Sequence, residues 1–340
     1  MAPFGIITRV AGNGTAGSAG DDGPAVEAQL NLPAAVAVTA DGGFLIADEN
    51  AHLVREVSAA GTITRVAGTG TAGNSGDDGL AVEAQLNTPA AVAATSDGGF
   101  LIADAAAHVV RRVSPEGTIT RVAGTGTPGN TGDDGPATEA QLNTPLALAL
   151  TADGGFLIAD IFAHVVRKVS STGTITRVAG TGTPGDSGDE GPATEAELNL
   201  PRAVAVAADG SFLIADALAH VVRSVSADGT ITRVAGNGTS GSGGDDGPAA
   251  DAQLNTPVAL AVTAGGGFLI ADAFAHVVRE VSSAGTITRV AGTGTSGTSG
   301  DDGPATEAQL TAPTGLAVTA DGGFLIVDFA AHTVRKVAPA

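Results

Sequence analysis

The sequence predicts an all-β fold, a closed six-bladed β-propeller with four antiparallel strands per blade, and three observations carry that prediction. The first is a repeat. Near copies of Asp133-Asp134-Gly135-Pro136-Ala137-Thr138-Glu139-Ala140-Gln141-Leu142 begin at Asp21, Asp77, Asp189, Asp245 and Asp301, a constant step of 56 residues along a chain of 340. Steps of this size mark units that stack by addition, so residues 1–340 read as one domain rather than two. The second is the content of each unit, four short apolar runs separated by turn residues. The third is phase. Ile6-Ile7-Thr8-Arg9-Val10-Ala11 is a fourth strand without its first three, and Thr333-Val334-Arg335-Lys336-Val337 is a third strand without its fourth. The N-terminal strand therefore completes the last blade, a split that closes a ring and would gain nothing in an open stack, which would also need polar capping units.

The third unit illustrates the elements. Leu146-Ala147-Leu148-Ala149-Leu150-Thr151, introduced by Pro145, reads as a buried inner strand. Asp153-Gly154-Gly155 supplies a hairpin turn, because these residues tolerate the positive φ that tight turns require. The second strand is Phe156-Leu157-Ile158-Ala159-Asp160, and a short loop, Ile161-Phe162-Ala163, leads to the third, His164-Val165-Val166-Arg167-Lys168-Val169. Ser171-Thr172-Gly173 turns into the fourth, Thr174-Ile175-Thr176-Arg177-Val178-Ala179.

Composition narrows the function classes. The chain is 43% hydrophobic with no Trp, no Tyr and ten Phe, so its core is aliphatic. The 50 Gly and 16 Pro fall in register with the repeat, as turns between strands do. A net charge of -20 repels phosphate backbones and anionic headgroups, which argues against nucleic acid and membrane partners. Without Cys there are no disulfides, thiolate chemistry or Cys-ligated metal. Met1 to Gly5 carry neither a basic nor an apolar leader region, and no run approaches the ~18 apolar residues of a membrane span, so the reading is a cytoplasmic monomer.

The inner strand after a Pro, the Asp-Gly-Gly turn, the Phe-Leu-Ile-Ala-Asp strand, the Ala-His-Val-Val-Arg-Lys-Val strand and the Gly-Asp-Asp-Gly-Pro-Ala segment together resemble the NHL-repeat family, over essentially the whole chain. That resemblance implies a six-bladed propeller, and it leaves function open, since members bind protein or RNA or act as enzymes. One departure is systematic. Ala51, Ala107, Ala163, Ala219, Ala275 and Ala331 stand where the family has Asn before the His, which puts an Asn-dependent loop structure in doubt.

The long connection through Asp-Asp-Gly-Pro and the short loop between strands two and three open on one face, here called the top. Six acidic pairs there suit calcium, with Asp186, Asp189, Glu190, Glu195 and Glu197 making the fourth unit the most acidic. The competing reading is a cap: Asp before Gly-Pro, with Glu three residues after Pro, fits the N-terminus of a short helix. His52, His108, His164, His220, His276 and His332 recur at one place in the strand, which points to hydrogen bonding within each blade rather than to metal ligation. The repeated Arg pair, such as Arg167 and Arg177, is expected to meet Asp160 and its equivalents.

No catalytic or cofactor-binding motif is present, so no cofactor is expected beyond the calcium alternative. The informative positions are those where the copies disagree. In the loop before the His they are Glu49-Asn50, Ala105-Ala106, Ile161-Phe162, Ala217-Leu218, Ala273-Phe274 and Phe329-Ala330; after the Pro they are Ala34, Ala90, Leu146, Arg202, Val258 and Thr314. Apart from Phe4 and one Phe per blade, every Phe falls in these loops. Together they suggest a pocket at the top mouth of the central channel. Its apolar wall comes from Ile161, Phe162, Leu218, Phe274 and Phe329, and its polar groups from Asn50, Arg202 and Glu49, the last a candidate catalytic acid or base. The expected function is binding of a largely apolar small molecule, with room for lyase, isomerase, cyclase or hydrolase chemistry free of redox cofactors. The alternatives are a protein-interaction scaffold on the same rim, or loops that merely pack on the crossing segments as a satellite core.

Overall fold

The computed structural model describes residues 5–339, and Phe4 lies outside them. It is all-β, with six radial sheets each built on four antiparallel strands, as the repeat predicts, and in three of them the connecting segment adds a two-residue fifth strand. Blade 3 runs Pro145–Leu150, Phe156–Asp160, Val165–Val169 and Ile175–Ala179 from the channel outward. Ile6–Ala11 pairs with Thr333–Val337 and completes blade 6, so the ring closes across the two ends of the chain.

The core lies between blades, because alternate residues of each second strand face opposite neighbours. In blade 3, Phe156 and Ile158 cluster with Leu101 of blade 2, while Leu157 and Ala159 cluster with Phe212 and Ile214 of blade 4. Ala193, Ala196 and Leu198 of the connecting segment fill the same gap as Leu157. That segment crosses from the outer strand of one blade to the next and pairs there before turning inward. Gly23–Pro24 lies against Thr62–Ala67, covering an edge strand that would otherwise offer unpaired backbone groups to another chain.

The connecting segment holds no capped α-helix. Ala137–Glu139 is a single 3₁₀ turn with Pro136 at its N-terminal boundary and no side-chain cap. Asp133 is used differently: it accepts from Nε of Arg167 at 2.9 Å, and each of the other five connecting segments places its first Asp against the Arg of its blade. The second residue of each pair, Asp134 or its equivalent, takes a left-handed backbone (φ 66° at Asp134), which suits Asp better than most residues.

Each inner strand carries a β-bulge directly after its Pro. Pro145 pairs with Asp160 and Ala147 with Ala159, so Leu146 is the extra residue. Ala34, Ala90, Arg202, Val258 and Thr314 occupy the same place in the other blades. A bulge takes its residue out of the pleat and re-aims the side chain. All six line the channel mouth.

Candidate functional site at the channel mouth

Beneath the mouth, each blade is locked by a buried arginine. Arg167 donates to the carbonyls of Gln141 at 2.5 Å, Asn130 at 3.0 Å and Thr131 at 3.2 Å, and Asp160 Oδ2 stands 3.5 Å from its Nη1. Asp160 Oδ1 accepts the Asn143 N–H at 2.6 Å, tying the connecting segment to the second strand. Burial pushes the carboxyls of Asp48, Asp104, Asp160, Asp216 and Asp272 up to about 7, against the opposing pull of the backbone N–H and the Arg. Of the repeated Arg pair only the first meets Asp160 or its equivalents. Arg177 is exposed and donates to the Thr181 carbonyl.

The histidines bridge blades instead of bonding within one. His164 is not strand: it ends the Ile161–Ala163 3₁₀ turn with φ 55°, a conformation His tolerates better than most side chains. His52, His108, His164, His220 and His332 each use Nδ1 to accept the N–H that precedes the Pro of the next blade, for example Thr144 at 3.2 Å. At the sixth junction, Ala312 donates to Asp328 and the Nδ1 of His276 is left unpaired. Among the described residues, no group of three or more His, Asp or Glu converges as metal ligands.

The 3₁₀ turn also decides where the variable loop residues point. At about three residues per turn its side chains fan out, so successive positions meet different surroundings. The first residue lies at or near the channel wall: Ile161 is buried, and Glu49 and Phe329 are half-buried. The second faces solvent, with Phe162 55%, Leu218 48% and Phe274 64% exposed. The third, always Ala, is buried.

The mouth encloses a cavity of about 380 Å³ lined by Ala34, Glu49, Ala90, Leu146, Arg202, Thr256, Val258, Ala273, Phe274, Ala312, Thr314 and Phe329. Of the residues expected there, Glu49, Arg202, Phe274 and Phe329 come together. Asn50, Ile161, Phe162 and Leu218 do not line it. Asn50 is exposed and bonds Asn31, Ile161 belongs to the core, and Phe162 and Leu218 form the outer rim with Phe274. Glu49 comes from blade 1 and Arg202 from blade 4, on opposite sides of the ring. Burial raises the Glu49 carboxyl above its usual range and Arg202 opposes the rise; burial lowers Arg202 and Glu49 opposes that.

A second cavity, of about 610 Å³, lies on the bottom between blades 4 and 5, among Leu213, Val234, Val262, Phe268 and Val281. Similar cavities of about 350 and 310 Å³ lie on the bottom between blades 3 and 4 and between blades 6 and 1, beside the Lys168–Asp153 and Lys336–Asp321 ion pairs. The cavity between blades 4 and 5 is the largest of the three, and there Ser224 stands in place of the Lys and Ala207 in place of Thr151.

No family model matches this chain. Over 285 residues it is 29% identical to Protein SUPPRESSOR OF QUENCHING 1, chloroplastic, of Arabidopsis thaliana, a match that takes in 79% of this chain and 26% of that protein. The chain thus spans about a quarter of that curated relative. Among solved structures it resembles an auxiliary nutrient binding protein from Bacteroides thetaiotaomicron (16% identity, TM-score 0.70, 98% of this chain and 76% of that one). It also resembles a gluconolactonase from Xanthomonas campestris (12%, 0.63, 100% and 96%) and virginiamycin B lyase from Staphylococcus aureus (15%, 0.55, 91% and 95%). At these identities the likeness establishes the shared six-bladed propeller. Among the described residues, no helix is long and apolar enough to cross a membrane.

Proposed function

We propose that this chain is an NHL-type propeller that binds a small, largely apolar, anionic molecule at the top mouth of its channel, with Arg202 holding the anionic group. The observation that carries the reading is the cavity of about 380 Å³, into which one cation and one acid are set among otherwise small or apolar equivalents. Glu49, its carboxyl raised by burial, is the group placed to exchange a proton with a bound molecule. The chemistry open to such a site is lyase, isomerase, cyclase or hydrolase chemistry without a redox cofactor. Propellers of this fold include a gluconolactonase, a lyase and a nutrient binder, which supports a ligand-handling mouth without choosing among them. The reading keeps the chain a cytoplasmic monomer, and its -20 charge argues against a nucleic acid or membrane partner.

The test is calorimetric titration with 3-phenylpropionate. Loss of a charge-assisted contact costs about 1.5–3 kcal/mol, so Arg202→Gln should weaken binding roughly ten- to hundredfold. Phe274→Ala should also weaken it, and both variants should keep their melting temperature. Unchanged affinity in both, or a large loss of stability, would reassign these residues to packing. A second reading has its own observation. Phe162, Leu218 and Phe274 expose apolar rings and methyls on three consecutive blades, an arc suited to a protein partner on the same face.

A further inference from the structure

We propose that the mouth is built for a short linear peptide with apolar side chains, held as a zwitterion with its C-terminal carboxylate on Arg202 and its N-terminal ammonium on Glu49. This rests on the small-molecule reading above and names its ligand class.

Charge placement carries the argument. Of the six residues that follow the blade prolines only Arg202 is charged, and of the six first loop residues only Glu49 is. They belong to blades 4 and 1, which are three blades apart in either direction and so stand on opposite walls. Among the described residues neither side chain makes a hydrogen bond or direct ion pair, in contrast to Arg167, which has five partners. Partly desolvated charges are costly, and these two act on each other only through space, with no direct ion pair between them among the described residues. A simple carboxylate would pair Arg202 and leave Glu49 bare.

The span decides which zwitterion fits. An α-amino acid carries both charges on one carbon, whereas each peptide residue adds about 3.3–3.6 Å between the termini. A dipeptide or tripeptide therefore separates its two charges across more of the mouth than a single amino acid can. A cavity of about 380 Å³ lies at the lower end of the usual range of ligand sites, which suits that length. Between the charges, Leu146, Val258, Phe274 and Phe329 offer apolar surface to the peptide's side chains, and the guanidinium fork of Arg202 matches a terminal carboxylate.

Calorimetry on the intact chain tests this with leucyl-phenylalanine, its N-acetyl form and its C-terminal amide, beside 3-phenylpropionate. The free dipeptide should bind, and each cap should weaken it by about tenfold or more, the loss of one charge-assisted contact. The N-acetyl penalty should vanish in Glu49→Gln and the amide penalty in Arg202→Gln. Capped peptides binding the unaltered chain as well as the free one would overturn the proposal, as would penalties that persist in the variants. Binding of 3-phenylpropionate without the dipeptide would sink the peptide assignment and leave the small-molecule reading standing. If neither binds, both fall.

Discussion

Replacing Arg167 by Met removes the charge and five polar contacts while keeping much of the side-chain length. The guanidinium loses the carbonyls of Gln141, Asn130 and Thr131, leaving those acceptors short of a donor. It also loses Asp133, about 29% exposed, and Asp160, fully buried. Removing one partner of a buried pair costs about 3–5 kcal/mol, because the remaining charge is stranded. With an unfolding entropy of about 2.1 cal/mol/K per residue, 4 kcal/mol spread over this chain of 340 is a fall in melting temperature of about 6 °C. The cost should also depend on pH. Burial pushes Asp160 up to about 7, so at pH 5 its carboxyl is already neutral and the variant loses mainly the carbonyls and Asp133. At pH 8 the variant must in addition take up a proton or hold a bare carboxylate. Guanidinium denaturation followed by far-ultraviolet circular dichroism suits a chain with no Trp or Tyr. A loss under about 1 kcal/mol, or an equal loss at both pH values, would refute an ionic role for this arginine.

Two further predictions follow from the same geometry. The buried strand aspartates have folded pKa values raised to about 7, so the stability they contribute is present in full below about 4 and is lost progressively as pH rises from there to about 7. Asp153 and Asp321 are instead held low by hydrogen bonds from Lys168 and Lys336, and their contribution is lost in strong acid. The denaturation midpoint should therefore peak near pH 4, fall between about pH 4 and 7 and level off above, and a midpoint rising steadily to pH 8 would contradict the assignment. At the turns, Gly117 and Gly124 both have positive φ, 84° and 88°. A Cβ at Gly117 would meet nothing, while one at Gly124 would collide with the His108 carbonyl. Gly117→Ala should cost about 1–2 kcal/mol and Gly124→Ala about 3 kcal/mol or more, with equal losses counting against the close approach.

The fold was readable because one mistake-tolerant signal was written six times, and the position of Ile6–Ala11 could be deduced from the strand missing after Val337. The mouth was half readable. Disagreement between copies pointed to Glu49, Arg202, Phe274 and Phe329, yet it could not separate Ile161 from Phe162, since their fates depend on the phase of a 3₁₀ turn rather than on a period of two. The bulge after each Pro was invisible, because register is a property of two strands and only one is local in sequence. Asp133 was misread for a related reason. Its neighbours Gly135, Pro136 and Glu139 satisfy the rules of a helix start, while the Arg167 that claims it lies 34 residues on. The cavity between blades 4 and 5 is not legible in the sequence, because Ala207 and Ser224 of blade 4 are each unremarkable alone and face Val262 and Phe268 of blade 5 only when the two blades pack.

Phenylalanine-selective ¹⁵N labelling tests the central claim most directly, since the whole chain has ten Phe and two of them, Phe274 and Phe329, line the mouth. Titration with 3-phenylpropionate should shift those two resonances along one saturable curve, and Arg202→Gln should move the curve to higher concentration. Shifts at Phe268 with the mouth unmoved would place binding in the bottom cavity instead. No saturable shift at Phe274 or Phe329 would contradict a ligand site at the mouth.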